Sequence, residues 1–328
     1  MKRTPYLHIV RILSAVLVAS IACAGCGKPS EMKVFALPMG YVANVQFSPF
    51  YVAQDRGYFK DAGFDVTFDY RWETDGIQLV AAGEIPFAVA SGDQVIQARS
   101  KGLPVVAVAG WYQTFPVGVI ALQERPLERP EDLRGLRIGI PETFGASYIG
   151  LRALLDTAGL TEADIDLQAI GYTQLAALTA GIVDAVVVYA NNEPVVLAQQ
   201  GVPYNAIYAS DYVDLVSAVI VSSDSYVGTH HQEVQRFVAA FLKGVDDVVR
   251  DPDGAFTVCE RSVEGLSDNA GTQREVLSAS IELWRAPRLG LMNAEAWERA
   301  QEVMVSAGLI DTASPTEDLF TNAFIPGN

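Results

Sequence analysis

The chain has 328 residues and is acidic, with 39 Asp and Glu against 23 Lys and Arg and a formal net charge of -16. Proteins that bind nucleic acid hold the phosphates with clustered Lys and Arg, so this balance argues against nucleic acid as a partner. Hydrophobic residues make up 50% of the sequence. A chain of this size can bury the core of one large domain or of two smaller ones.

The start of the chain is predicted to be a targeting segment. Basic residues precede an apolar core over residues 12–22, which is too short to span a membrane comfortably. Ala and Gly precede Cys26, as small residues do in a bacterial lipobox, although Cys23 stands where leucine is usual. We expect a lipoprotein signal peptide over 1–26, acylation of Cys26 (Cys23 being the weaker candidate), a tether over 27–32, and a location on the extracytoplasmic face of the cell membrane. The alternative is an ordinary cleaved signal.

Strands and helices then alternate with short turns, which is typical of parallel sheets covered by helices. The predicted strands are 33–38, 64–70, 87–91, 105–110, 137–141, 166–170, 185–189 and 206–209. The predicted helices between them are 47–59, 76–82, 93–101, 148–158, 174–181 and 193–200. From about residue 231 the chain is predicted to be almost entirely helical, including 233–249, 273–284 and 294–307.

Two apolar runs, 118–122 and 217–221, look like crossings between domains. The piece between them is long enough to form a domain by itself, and the outer pieces would pair into the other one. We expect one lobe from 33–119 plus 223–328 and a second lobe from 120–222, joined by a hinge that can close on a ligand. The alternative is one continuous doubly wound sheet.

Candidate ligand-binding residues follow the predicted strands, where open α/β sheets bind ligands. They are Asn44, Gln46, Phe47, Trp72, Asp75, Ser91, Gly92, Trp111, Tyr112, Tyr148, Asn191, Asn192 and Glu193. The loop over 139–147 is a weaker candidate, because it lacks the lysine of a Walker loop and does not match a dinucleotide fingerprint. The aromatic residues Phe50, Tyr58 and Phe59 are expected to pack in the core.

This set offers aromatic rings and mostly neutral polar groups, which suits a flat heterocycle. Trp72 and Trp111 could stack on such a ring, and amide side chains could pair with its polar edges. Glu193 suits an exocyclic amine on such a ring, but it could equally accept a hydrogen bond from a hydroxyl or from a ring N–H. The residues alone leave these ligands open.

A catalytic function has little support in the sequence. Beyond the predicted signal peptide the chain has one cysteine, Cys259, so no internal disulfide is expected. The histidines are His8, His230 and His231, which form no metal-ligand set with cysteines, and no nucleophile elbow is present. We therefore expect a binding protein with no metal and no cofactor; an exported enzyme is the alternative from a different class.

Several stretches carry a family resemblance, and they are 47–53, 56–59, 63–66, 87–93 and 130–139. They resemble the NMT1/THI5-like family of substrate-binding proteins of ABC importers, over about residues 33–250. The resemblance implies a type II periplasmic-binding-protein fold, with two α/β lobes joined by a two-strand hinge. It also implies a monomer that delivers a small-molecule ligand to an ABC permease in the membrane.

Three further stretches, 72–76, 111–112 and 191–194, look like the vitamin-binding branch of that family. The resemblance then implies riboflavin as the ligand, with a thiamine-pyrimidine precursor or a sulfonate as alternatives. The eukaryotic pyrimidine synthases of the family carry a cysteine-rich motif. Because only Cys259 remains in the body of this chain, the resemblance does not favour that activity.

Overall fold

The structure is a computed structural model, and it describes residues 32–327. The predicted signal peptide, Cys26 and Cys23 lie outside the described residues. Within the described residues, the chain from Val34 onward forms one compact unit. No helix in the described part of the chain combines the length and the apolar character that a membrane crossing needs.

Ten strands form three sheets within the described residues. The strands are β1 (Lys33–Pro38), β2 (Phe64–Asp69), β3 (Ala88–Ser91), β4 (Val105–Gly110), β5 (Val117–Leu122), β6 (Arg137–Ile140), β7 (Asp166–Ala169), β8 (Ala185–Tyr189), β9 (Tyr204–Tyr208) and β10 (Ala218–Ser223). Several of them, such as β4 with the sequence VVAVAG, are buried along their whole length. Such continuous apolar runs are typical of strands covered on both faces.

The largest sheet has the strand order β7-β6-β8-β5-β9. Its strands β6, β7 and β8 are parallel, and β5 runs antiparallel to β8 and β9. A three-stranded sheet has β10 at its centre, antiparallel to β3 and β4, and β1 pairs with β2. The predicted α/β architecture is therefore confirmed, with several strand ends gathered at common edges.

Thirteen α-helices cover these sheets in the described part of the chain. They are α1 (Ser48–Asp55), α2 (Tyr58–Asp61), α3 (Glu73–Ala81), α4 (Gly92–Ser100), α5 (Gly145–Thr157), α6 (Gln174–Thr179), α7 (Glu193–Gln199), α8 (Asp224–Thr229), α9 (His231–Arg250), α10 (Pro252–Ser262), α11 (Ala270–Trp284), α12 (Ala294–Ser306) and α13 (Thr316–Leu319). The helical end of the chain, predicted from about residue 231, corresponds to α9 to α13.

The single helix predicted over 47–59 was wrong, because the chain makes two helices there. Gly57 has φ of 77°, a left-handed conformation that glycine adopts at little cost and that interrupts a right-handed helix. It separates α1 from α2. Ahead of α1, Val45–Phe47 forms a 3-10 turn, and Asn44 caps this turn because its side chain accepts a hydrogen bond from the Gln46 amide.

Two other helices begin three residues earlier than predicted, and this changes the position of two candidate site residues relative to the helix start. Helix α3 begins at Glu73 and not at residue 76, so Asp75 lies in its first turn. Helix α5 begins at Gly145 and not at residue 148, so Tyr148 lies inside the helix. Asp75 therefore belongs to a helix and not to the loop after β2, and Tyr148 lies three residues into its helix and not at its first residue.

The core beside the small sheets is rich in aromatic rings. Phe87 and Phe237 stack with their centroids 4.0 Å apart, and Phe50 stacks on Phe241 at 4.6 Å. Helices α1 and α9 approach closely at Gly244, where a Cβ atom would lie 2.2 Å from the carbonyl oxygen of Pro49. Only glycine allows this approach without a shift of one helix. Phe50 and Phe59 are core residues as predicted.

Candidate functional site

A cavity of about 530 Å³ lies where loops after the strands converge. Its volume is in the range that small-molecule sites have. On one side the wall comes from residues at or after β1 to β4, and from Ala218 at the start of β10. These residues are Met39, Gly40, Tyr41, Gln46, Phe47, Trp72, Glu73, Thr74, Val89, Ser91, Gln94, Gln97, Trp111, Tyr112 and Ala218. On the other side the wall comes from residues after β6, β7 and β8. They are Pro141, Glu142, Phe144, Gly145, Ala146, Ser147, Tyr172, Gln174, Tyr189, Asn192 and Glu193.

Eight of the residues predicted from the sequence lie on this wall. They are Gln46, Phe47, Trp72, Ser91, Trp111, Tyr112, Asn192 and Glu193. The structure brings them together from five different loops, as expected when ligands bind at the carboxyl ends of strands. Part of the weaker loop candidate, from Pro141 to Ser147, lies on the opposite side.

Five predicted residues lie off the wall: Asn44, Asp75, Gly92, Tyr148 and Asn191. Asn44 is used as the cap of the 3-10 turn, with its Oδ1 3.1 Å from the Gln46 nitrogen, and Asp75 is exposed to solvent. The Gly92 amide donates a hydrogen bond to the Ser217 carbonyl at 2.9 Å. The Tyr148 hydroxyl donates to Glu162 and accepts from Arg152. Asn44, Gly92 and Tyr148 are thus engaged in hydrogen bonds within the protein.

Asn191 is fully buried behind the wall. Its Nδ2 donates to the Tyr112 hydroxyl at 3.1 Å and to Ser280 Oγ at 2.8 Å. Burial raises the pKa of Tyr112 to about 12, so its hydroxyl is neutral at physiological pH. Asn191 therefore holds Tyr112 in place and does not face the cavity itself.

Aromatic pairs join the two sides of the cavity. Trp72 and Phe144 meet edge to face with their centroids 6.1 Å apart, and Tyr41 meets Tyr172 in the same way at 5.5 Å. Trp72 is 54% exposed and so has a large free face. Trp111 is 4% exposed and packs against Phe47 at 5.4 Å. Trp72 can therefore offer a flat ligand more ring surface than Trp111 can.

Carboxyl groups with perturbed acidity lie at the cavity. Glu73 Oε2 accepts hydrogen bonds from the Ser91 amide at 2.9 Å and from Ser91 Oγ at 2.6 Å. Burial and the like charge of Asp93 raise the pKa of Glu73 to about 7, although the bonds from Ser91 oppose the shift. Burial also raises the pKa of Asp93 and that of Glu193. Glu193 Oε2 accepts from the Tyr189 amide at 3.1 Å.

The described wall contains no Lys, Arg or His side chain. It offers aromatic rings, amides, hydroxyls and the carboxyl groups of Glu73, Glu142 and Glu193. Burying a negative charge without a partner is costly, so this wall favours an uncharged or cationic ligand over an anion. Among residues 32–327, no group of His, Cys, Asp and Glu is arranged to hold a metal ion.

Sequence reasoning missed several wall residues, including Tyr41, Glu73, Gln94, Tyr172 and Tyr189. Glu73 directly follows Trp72 and Tyr172 lies shortly after a predicted strand, so the rule that found the other candidates could have found both. Gln94 lies in the first turn of a helix, and its position on the wall depends on how that helix packs.

Comparison with known proteins gives a consistent result. The family model described as "NMT1/THI5 like" matches residues 44–255. The riboflavin-binding protein RibY of Chloroflexus aurantiacus is 38% identical over 300 residues, which cover 89% of this chain and 86% of that protein. The formylaminopyrimidine-binding protein of Halalkalibacterium halodurans is 30% identical over 327 residues, covering 96% of this chain and 98% of that protein.

Among solved structures, the periplasmic aliphatic sulphonate binding protein SsuA from Escherichia coli matches with a TM-score of 0.71 at 16% identity. The match covers 89% of this chain and 94% of that one. At this identity the match shows the periplasmic-binding-protein fold alone. With the family model covering most of residues 32–327 and two relatives aligned over nearly their whole length, the chain belongs to the NMT1/THI5-like family.

Proposed function

We propose that this protein is the solute-binding component of an ABC importer, that it captures riboflavin outside the cytoplasm, and that it delivers the vitamin to a membrane permease. The cavity wall carries the proposal, because it combines free aromatic surface with neutral polar groups and has no basic side chain among the described residues. The similarity to a protein named as riboflavin-binding supports the same ligand. Both relatives compared above are named as binding proteins, which supports capture over catalysis.

The geometry suits a flat ring system with a polar chain. Trp72 offers a largely free face at the edge of the cavity, and stacking on an aromatic side chain contributes roughly 1–3 kcal/mol per base in nucleic-acid complexes. Asn192 and Glu193 lie together on the opposite side, where they could accept hydrogen bonds from ribityl hydroxyls and donate hydrogen bonds to them. A hydroxyl left buried without a partner would cost roughly 1–3 kcal/mol, so these groups contribute selectivity.

A thiamine-pyrimidine precursor is the second candidate. Glu193 lies on the wall and could accept a hydrogen bond from an exocyclic amine, and one relative is named as formylaminopyrimidine-binding. A sulfonate would bring a negative charge into a cavity whose described wall has carboxyl groups and no cation. The wall therefore argues against a sulfonate and also against phosphorylated flavins.

Closure of two lobes is part of the proposed mechanism. The chain would cross between the lobes next to β5 and β10, giving one lobe from residues before 120 and after 222 and a second lobe from 120–222. Because β10 pairs with β3 and β4, the second crossing would lie ahead of Ala218 and not at residue 222, so that β10 belongs wholly to the first lobe. A ligand can drive closure only through contacts that exist in the closed state. Trp72 and Phe144 meet across the cavity, so a ligand that touches both rings would make such contacts with both lobes.

Membrane attachment through acylated Cys26 is proposed from the sequence. A strain that expresses the full chain should incorporate labelled fatty acid into the protein, and a Cys26→Ser variant should not. Cys23→Ser is the matched control and should be labelled like the wild type. Labelling that survives in Cys26→Ser and disappears in Cys23→Ser would assign the anchor to Cys23 instead.

The ligand is tested by titrating the purified mature protein with riboflavin and following flavin fluorescence. We expect saturable quenching, recovery of unchanged riboflavin, and much weaker binding of flavin mononucleotide because its phosphate finds no cation.

Trp72→Ala should weaken riboflavin binding roughly 5- to 150-fold, the equivalent of about 1–3 kcal/mol. Tyr212→Ala removes an exposed aromatic ring that is not on the wall, and should bind as the wild type does. Absence of quenching together with binding of an aminopyrimidine would reject riboflavin and favour the second candidate. Conversion of the bound vitamin would establish an enzyme.

A further inference from the structure

Glu73 occupies a position on the wall that is built around its carboxyl group. One oxygen, Oε2, accepts both hydrogen bonds from Ser91. The side chain also packs against the backbone of Gly40, where a Cβ atom would come within 2.7 Å of Glu73 Cγ and 3.2 Å of Oε1. Among the hydrogen bonds of the described residues, Oε1 is thus the oxygen left for a ligand.

No positive charge faces this carboxyl group within the described residues. The titratable groups around it are Asp93 on α4, Tyr41 after β1, Glu142 after β6, Tyr172 after β7, Tyr189 at the end of β8 and Glu193 at the start of α7. Asp93 is 4% exposed and acts on Glu73 as a like charge. The tyrosines are neutral at physiological pH, because burial raises the pKa of each of them above its ordinary value.

The basic residue on the helix that carries Asp93 pairs with other carboxylates. Arg99 lies on α4 with Asp93, but its guanidinium pairs with Asp224 at 2.5 Å and with Asp318 at 3.7 Å. A ligand that fills the cavity removes water from Glu73 and brings no compensating cation if it is uncharged. Both effects disfavour the ionised carboxylate further.

We propose that Glu73 is a specificity-determining residue, which presents a neutral carboxyl group to an uncharged ligand, and that ligand binding above neutral pH therefore takes up one proton. The neutral carboxyl group donates an O–H from Oε1 to a carbonyl oxygen or ring nitrogen of the ligand, whereas a carboxylate could only accept a hydrogen bond. The proton comes from solvent and no covalent bond to the ligand changes. This inference rests on the proposed riboflavin binding for its choice of ligand.

Uncharged and cationic ligands should differ in how their affinity changes with pH. An uncharged heterocycle with acceptor atoms at its edge is bound with proton uptake. A cationic heterocycle would favour the carboxylate, so its binding would become tighter as the pH rises. The sign of the pH dependence therefore reports which charge state of Glu73 the ligand selects.

The experiment measures riboflavin affinity from about pH 6 to about pH 8.5, with calorimetry in two buffers of different ionisation enthalpy to count protons. The wild type should weaken by about tenfold per pH unit once the pH is well above 7, with uptake of one proton per ligand. Glu73→Gln keeps the shape and stays neutral, so it should bind at every pH as the wild type does near pH 6. Glu84 is an exposed residue shortly after α3, the helix that begins at Glu73. The control Glu84→Gln should therefore keep the pH dependence of the wild type.

Three results would overturn the inference. They are a wild-type affinity that does not change with pH, binding without proton uptake, and a Glu73→Gln variant that keeps the wild-type pH dependence. If riboflavin binds at no pH, the proposed function fails separately. The inference is then decided on the free protein by a ¹³C-carboxyl NMR titration, with Glu73→Gln to assign the signal. A Glu73 resonance that titrates near neutral pH supports it, and one that titrates near the ordinary value for glutamate overturns it.

Discussion

The substitution Glu73→Gln should also change the stability of the unliganded protein in a pH-dependent way. The carboxyl group has a pKa of about 7 in the folded protein, compared with 4.5 for an ordinary glutamate. The folded state therefore holds a proton that the unfolded state has already lost between these two values. The contribution of Glu73 to the stability of the wild type therefore falls as the pH rises from about 4.5 to about 7, and the full loss of that contribution is present above 7.

The size of this loss follows from the shift. Each pKa unit corresponds to about 1.4 kcal/mol, so the full shift corresponds to about 3 kcal/mol. Because Glu73 lies on the wall of a cavity that water can enter, we expect about 1–3 kcal/mol in practice. Glutamine is neutral at every pH, so the variant should lack this part of the pH-dependent loss.

Urea unfolding at several pH values measures the difference. The free energy of unfolding of Glu73→Gln, relative to the wild type, should rise by about 1–3 kcal/mol between about pH 5 and about pH 8. Glu84→Gln is the control, and its difference from the wild type should be flat across the same range. A flat difference for Glu73→Gln as well, or a variant that becomes relatively less stable at pH 8, would refute the argument from burial and from Asp93.

Further predictions concern the packing and the polar interior. Gly244→Ala should destabilise the protein by about 1–3 kcal/mol, because the new methyl group overpacks helices α1 and α9. In Gly271→Ala the new methyl group meets no atom within 4 Å, so this control should be neutral or slightly stabilising. Equal thermal midpoints for the two variants would contradict the close approach at Gly244. Asn191→Ala removes the buried amide behind the wall and should cost about 1–3 kcal/mol in urea unfolding; an unchanged midpoint would show that its hydrogen bonds contribute nothing. Asp184 accepts hydrogen bonds from Arg137, which hold the pKa of Asp184 down at about 2. Its contribution is therefore present above about pH 4 and is lost as the pH falls through 2. Asp184→Asn should cost about 1–2 kcal/mol at neutral pH, with the difference narrowing in acid, and a difference independent of pH would count against this pairing.

The sequence predicted the arrangement of elements well where local signals were strong. Apolar runs such as 105–110 and 185–189 are the strands β4 and β8, because a strand covered on both faces needs an unbroken apolar run. The break between α1 and α2 was missed, although Gly57 marks it. A glycine is compatible with a helix interior as well as with a left-handed turn, so its presence alone does not decide between them.

The site was predicted only in part, and neighbouring residues show why. Asn191 and Asn192 both follow β8, yet Asn191 is buried against Tyr112 and Ser280 while Asn192 lies on the cavity wall. Both residues lie in the turn between β8 and α7, and the backbone conformation of that turn directs their side chains to different surroundings. The direction of each side chain depends on how the helix packs, and the order of residues does not contain that information directly.

By itself, the sequence determined the α/β alternation, the family stretches, the acidic balance and the loops from which a cavity could be built. These features depend on residue types and short spacings. Only the tertiary structure decided which loop residues share one wall and that no basic side chain among the described residues lies on it. It also decided the acidity of Glu73, since that depends on burial and on Asp93, twenty positions away in the chain. Burial and electrostatic interaction act through space, so they follow from the folded arrangement and not from any local pattern.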